Sequence, residues 1–465
     1  MKILYKYKFV ILPLVVLSLQ SCFVAKDYEQ PEIINEENFR TDNLPQDSIT
    51  MADVSWREMF TDPILQQHID EALKNNIDIR VALQQILAAN AYLKQGKAGY
   101  LPSLTGNASV THNELSSNSQ FGSLFSSLDQ YEVSADLSWE ADIWGKIRSN
   151  KRAYEATYLQ TVAAHQAVKT ALISSVASSY YQLLSLDEQK KVTEETIKNR
   201  EKSLETNKAL KVAGSITEVG VKQTEAQLYT AQAILIDLNN QIRLLENTMS
   251  ILLGKEPTSI NRATLKEQEI NTELKTGVPA QLLRNRPDVI NAEYALVNAF
   301  ELTNVARANF YPSLTLTATG GFQSLDLGNL FDTNSLFATI IGGLTQPIFN
   351  KRQIKTQFEV AEVQQEQARL QFRKAFLNAT KEVSDALYNY EASTDKIEVK
   401  QKEFDAYDTA TNFSQELLNN GLANYLEVLT ARENALNSKL DLITAKYSQL
   451  NSIVSLYEAL GGGWQ

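Results

Sequence analysis

From Tyr131 to Glu140 the chain alternates without a break. Tyr131, Val133, Ala135, Leu137 and Trp139 are apolar, while Glu132, Ser134, Asp136, Ser138 and Glu140 are polar or charged. A period of two held over ten residues predicts a β-strand with one apolar and one polar face. Residues 312–323 repeat the pattern: Leu314, Leu316, Ala318, Gly320 and Phe322 alternate with Ser313, Thr315, Thr317, Thr319 and Gly321. Residues 102–113 and 335–346 complete two hairpin-like pairs, joined by loops 114–129 and 324–334 that are rich in Ser, Asn, Asp, Leu and Phe.

Between these ribbons the period changes. No Pro occurs between Pro102 and Pro257 or after Pro347. Gly214 and Gly220 are the only glycines between Gly145 and Gly254, and Gly421 is the only one between Gly343 and Gly461. Helix breakers are thus confined to the ends and one midpoint of each block. Helices over 146–213 and 351–420 would each be roughly 100 Å long, with Gly214 and Gly421 as the C-caps where the chain reverses. The returning segments carry seams at alternating steps of three and four: Leu228, Ala231, Leu235, Leu238, Ile242, Leu245, Met249, Leu252, and Leu436, Leu440, Ile443, Tyr447, Leu450, Val454, Tyr457. A sustained 3.5-residue repeat means coiled-coil packing. The helices alone favour a soluble coiled coil or bundle.

The two blocks are copies. Residues 78–105 and 288–315 align without a gap and share eight identities, among them the run Pro102-Ser103-Leu104-Thr105 against Pro312-Ser313-Leu314-Thr315. Gly214 then pairs with Gly421, and Gly254 with Gly461. The chain divides into a leader (1–21), an N-terminal segment (22–60), a first repeat (61–256), a linker (257–284) and a second repeat (285–465).

Composition narrows the function. A net charge of -11 argues against a nucleic-acid partner. Three His and one Cys in 465 residues argue against a metal site or thiol chemistry. No phosphate-binding Gly-rich loop, zinc-protease helix or nucleophile elbow is present, so no enzyme and no cofactor is expected. Lys2, Lys6 and Lys8 precede an apolar run from Phe9 to Leu19, too short to span a bilayer, which ends in Gln20-Ser21-Cys22. This resembles a bacterial lipoprotein signal, which would make Cys22 the lipidated mature N-terminus. An ordinary signal peptide with an incidental Cys is the other reading. No later stretch is long and apolar enough for a membrane helix, so any crossing requires a closed β-barrel. Four strands cannot close one, because bacterial barrels start at about eight. Either the chain oligomerises or the strands form a soluble sheet.

Trp56 through Asp62-Pro63-x-Leu65, Ala72-Leu73-x-Asn75-Asn76-x-Asp78, Arg286-Pro287-Asp288-Val289-x-x-Ala292-Glu293, Phe310-Tyr311-Pro312-Ser313-Leu314 and Leu460-Gly461-Gly462-Gly463-Trp464 occur in this order. Together they resemble the TolC-type outer-membrane efflux proteins, in the lipoprotein branch that serves resistance-nodulation-division pumps. The resemblance covers nearly all of the mature chain. It implies a mainly α, internally duplicated fold with four β-strands per chain. Three chains would complete a twelve-strand transmembrane β-barrel and a twelve-helix α-barrel. It also implies a homotrimer, lipid-anchored in the outer membrane and reaching into the periplasm, with a periplasmic adaptor and an inner-membrane pump as partners. The acidic balance would suit a lumen that favours cations.

On this reading Tyr131, Val133, Leu137 and Trp139 face lipid, although Tyr131 and Trp139 could equally be core aromatics. Gly214, Ser215, Val219, Gly421, Leu422 and Asn424 mark the adaptor-docking tips, where helix reversal is a sufficient reason for the glycines. A periplasmic gate would fall at Leu426, Glu427, Thr430, Arg432 and Glu433. Thr430 stands where the family often has an acid, and solvated helix charges are the favoured reading of the other three polar residues. Two alternatives stay open: a duct for secreted proteins and a periplasmic coiled-coil lipoprotein. The transported substrate is not legible.

Overall fold

The computed structural model describes residues 24–32, 50–120, 122, 124, 126–268 and 281–464. Cys22 lies outside the described residues. The main elements in order are α1 (Pro63–Asn75), α2 (Ile77–Ala98), β1 (Ser103–Glu114), β2 (Ser127–Ala141), α3 (Lys146–Val212), α4 (Glu218–Leu252), α5 (Pro287–Ala308), β3 (Ser313–Ser324), β4 (Leu336–Thr345), α6 (Gln353–Asn419) and α7 (Tyr425–Ala459). The fold is mainly helical with one four-stranded sheet. No helix among the described residues is long and apolar enough to cross a membrane.

Local chemistry sets the helix ends. Asp62 caps α1 by accepting from the Ile64 and Leu65 amides, and Asp142 caps α3 by accepting from Ile147 and Arg148. At the C-terminal ends one motif recurs four times. Ser215, Lys255, Leu422 and Gly462 each donate back to the carbonyl five residues earlier, across a glycine at positive φ: Gly214, Gly254, Gly421 and Gly461. This is the left-handed helix stop that glycine adopts without steric cost.

The chain forms two compact units. The first comprises Ile86–Thr161, Ala292–Phe372 and the described residues 24–31. It holds the sheet, an antiparallel meander ordered β1-β2-β3-β4. The second comprises residues 50–85, Val162–Asn291 and Arg373–Gln465. There the first seam is buried at Leu228, Ala231, Leu238, Ile242 and Met249, and the second at Leu436, Ile443, Val454 and Tyr457. Ile197 and Leu204 of α3 pack against Val221, Leu228 and Ala231 of α4.

The duplication is visible in backbone contacts. A Cβ on Gly254 would lie 2.5 Å from the Asn75 carbonyl oxygen, and one on Gly461 would lie 2.3 Å from that of Asn285. Each repeat therefore closes on itself through a glycine pressed against an asparagine at the end of an early helical turn.

Candidate functional site

Cross-strand pairing sorts the sheet residues by face, because paired residues share one. Leu104 pairs with Leu137, Leu137 with Ala318, and Ala318 with Ile340. Along this face the described positions from 104 to 110, 131 to 139, 314 to 322 and 336 to 344 are apolar or glycine. Tyr131, Val133 and Leu137 are half-buried on it, and Trp139 is more open. Leu104, Val110, Leu336, Ile340 and Leu344 are largely exposed.

The opposite face is polar. Thr105, Asp136, Thr319 and Thr339 form one row across all four strands. Asp136 accepts from the Asn107 amide and the Thr319 hydroxyl. Glu132 pairs with Ser109 and Gln323, and Glu140 with Thr315. This face carries Glu132, Asp136 and Glu140 but no Lys or Arg. Phe337 and Ile341 break the polar pattern, both on the edge strand β4.

At the foot of the sheet the Trp139 indole donates to the Tyr100 carbonyl at 3.0 Å, and Trp144 donates to that of Pro312 at 2.7 Å. Trp144 also stacks on Tyr311, with ring centroids 4.9 Å apart. Aromatics with one polar handle suit a membrane–water boundary. Residues just after Cys22 are fixed in this unit. The Lys26 amide donates to the Asn304 side chain, and the Asn304 amide donates back to the Lys26 carbonyl at 2.9 Å. Asp27 meets Arg152 at 3.3 Å, and Tyr28 packs edge-on against Phe300. Burial, helped by the Glu293 carboxylate, pushes the Tyr28 hydroxyl up.

The helical hairpins end in two turns of the same backbone design. In the first, Gly214 and Ser215 close α3, Thr217 caps α4 by accepting from Gly220, and Val219 is exposed. Lys211 spans the turn to Glu218, and its ammonium holds that carboxyl below the usual range. In the second, Gly421 and Leu422 close α6, and Asn424 caps α7. Asn424 accepts from the Glu427 amide at 3.1 Å, while its own amide donates to the Glu427 carboxylate at 3.0 Å. A Cβ on Gly214 or Gly421 would meet nothing within 4 Å, so only positive φ demands glycine there. Gly214→Ala and Gly421→Ala should each cost about 1–2 kcal/mol in urea unfolding. Gly220→Ala, where the added Cβ meets only ordinary contacts, should cost less.

Beyond the second turn the expected gate residues separate. Glu427 belongs to the cap, and the Thr430 hydroxyl bonds back to the Leu426 carbonyl. Leu426 is exposed. Arg432 and Glu433 are not solvated helix charges. Arg432 donates to the Ser203 hydroxyl on α3 and to the Gln415 side-chain oxygen on α6, both at 2.7 Å. Glu433 pairs at 2.7 Å with Arg200, whose side chain is only 5% exposed. Arg200 donates as well to the Gln227 carbonyl of α4. Nearer the turn, Asn207 donates to Thr224, which is hydrogen-bonded to the Tyr425 hydroxyl. Sequence reasoning missed Arg200, Ser203 and Thr224, whose partners Glu433, Arg432 and Tyr425 lie some two hundred positions away, and Asn207 and Gln415, which meet Thr224 and Arg432 across the turns.

An amphiphilic sheet, and helical hairpins whose long helices begin where its strands end, have the makings of a membrane conduit. The chain belongs to the outer membrane efflux protein family, which matches residues 68–255 and 278–462. It is an outer-membrane efflux channel, and its relatives are channels rather than enzymes. It is 29% identical to the cation efflux system protein CusC of Escherichia coli over 457 residues, 97% of this chain and 98% of that protein. It is 31% identical to the solvent efflux pump outer membrane protein SrpC of Pseudomonas putida over 467 residues, covering 98% and 99% of the two. The open state of the Neisseria gonorrhoeae MtrE outer membrane channel matches its fold with a TM-score of 0.85 and 26% identity, covering 96% of this chain and 99% of that one.

Proposed function

We propose that three copies of this chain form the passive outer-membrane duct of a tripartite efflux system, fed by an inner-membrane resistance-nodulation-division pump through a periplasmic adaptor. One observation carries this reading: the sheet has an apolar face over 104–110, 131–139, 314–322 and 336–344, and among the described residues its two edges, β1 and β4, pair with no further strand. Bare edges cannot face lipid. β1 and β4 run antiparallel, so β4 of one copy can pair with β1 of the next, and a head-to-tail ring of three closes at twelve strands. The helices support the same assembly. Val360, Val363, Leu370 and Leu377 on α6, and Tyr229, Ile236, Leu244 and Ile251 on α4, are exposed at roughly heptad spacing. These stripes suit seams with neighbouring helices.

In the ring the polar faces line the lumen. The two glycine turns point to the adaptor as its docking tips, and the Arg432 and Glu433 ties latch α7 against its neighbours as the periplasmic gate. Cys22 carries the lipid, close in sequence to the residues held against α5.

The purified mature protein should need detergent and run as a heat-modifiable oligomer with channel activity in planar bilayers. A water-soluble monomer would overturn the reading. Cys22→Ala should abolish lipidation yet leave the oligomer, as seen by mass spectrometry and unheated gels. Asp136→Asn with Glu132→Gln should lower cation over anion permeability several-fold, read from reversal potentials in a salt gradient, because these are two of the three carboxylates on the polar face of each sheet.

A further inference from the structure

The turn from β4 into α6, residues 346–352, has a surface the duct reading does not explain. Ile348 is 101% exposed and Phe349 86%. Lys351 and Arg352 follow at φ 54° and 67°, the two described non-glycine residues in the left-handed region. The equivalent turn of the first repeat, from β2 into α3, uses Gly145 at φ 77°. The second repeat thus places two cations where glycine is the easier choice. It places them at the start of a helix whose first turn has no acid, although the helix dipole favours one there. Arg352 holds Glu359 at 3.0 Å, and Lys351 forms no ion pair with any of the described residues.

The position of the turn supplies the partner. It follows directly from the apolar face of β4, which runs Leu336, Ala338, Ile340, Gly342, Leu344. A cavity of about 370 Å³ at its base is lined by Pro347 and Asn350 together with the aromatic pair Trp144 and Tyr311. Two apolar side chains beside two cations, at the level of boundary aromatics, match a phospholipid in both its parts: acyl chain and phosphate. We propose that this turn seats an anionic phospholipid of the periplasmic leaflet, with Ile348 and Phe349 among the acyl chains and Lys351 and Arg352 at the headgroup. The proposal rests on the barrel reading, which sets the sheet in the bilayer.

The test is native mass spectrometry of the detergent-purified mature oligomer, titrated with phosphatidylglycerol or phosphatidylcholine. The wild-type protein should prefer phosphatidylglycerol by about tenfold or more, since each surface cation contributes roughly fivefold. Lys351→Gly with Arg352→Gly should erase that preference while leaving the unheated oligomer at least as heat-resistant, because glycine accepts the backbone better. A variant that keeps the preference overturns the proposal. So does one that falls apart into monomers, which would make the turn a subunit contact. Competition by millimolar inorganic phosphate would reduce the site to a free-anion site and overturn it too. Absence of any detergent-stable oligomer in the wild-type protein is a separate result, and it removes the barrel reading first.

Discussion

Leu137→Arg is expected to keep the protein out of the outer membrane while leaving the export signal intact. Leu137 lies on the apolar face between Leu104 and Ala318. A cation facing lipid at mid-membrane costs about 2–4 kcal/mol, falling toward the boundaries. The cost is repeated in every copy, so a ring of three loses roughly 6–12 kcal/mol at mid-depth, comparable to the whole stability of a typical domain. Fractionation should find the variant in the periplasm or degraded, with no heat-modifiable band. Asp136→Asn, one residue away but on the opposite face, should insert normally. Normal insertion of Leu137→Arg would mean that the two faces are reversed.

The second large effect is expected at the latch. Arg432 and Glu433 make three hydrogen bonds or ion pairs to α3 and α6, and charge-assisted bonds of this kind contribute about 1.5–3 kcal/mol each. Arg432→Ala with Glu433→Ala should therefore release the periplasmic end. Single-channel conductance should rise several-fold, and cells should become more sensitive to large antibiotics. Conductance equal to wild type would assign these bonds to stability alone. Ser203→Ala, which removes one neutral acceptor, should have a smaller effect in the same direction.

The strands were legible because side chains in a strand alternate strictly, so a run such as 131–140 declares its two faces without any tertiary information. The long helices were legible because Pro and Gly are missing between their ends. The start of α6 was less so. The spacing predicts a helix from 351, but it begins at Gln353, since Lys351 and Arg352 take left-handed backbone that their side chains do not advertise. The latch was invisible for another reason. A seam identifies which face of a helix is buried, but it does not say which partner helix, or which rung of it, lies opposite. Arg432 therefore reads as a surface charge until Ser203 and Gln415 are placed beside it. The residues that hold 24–28 in place, Arg152, Phe300 and Asn304, were hidden in the same way.

The two glycine turns share a backbone but not a surface. One presents Ser215 and Val219, the other Leu422 and Leu426. A threefold ring would then offer six landing places of two alternating kinds. A partner ring of identical subunits faces a choice that follows from this mismatch. It can bring three members and use one kind of seat, or bring six and tolerate two dissimilar footings, bending alternate members to fit.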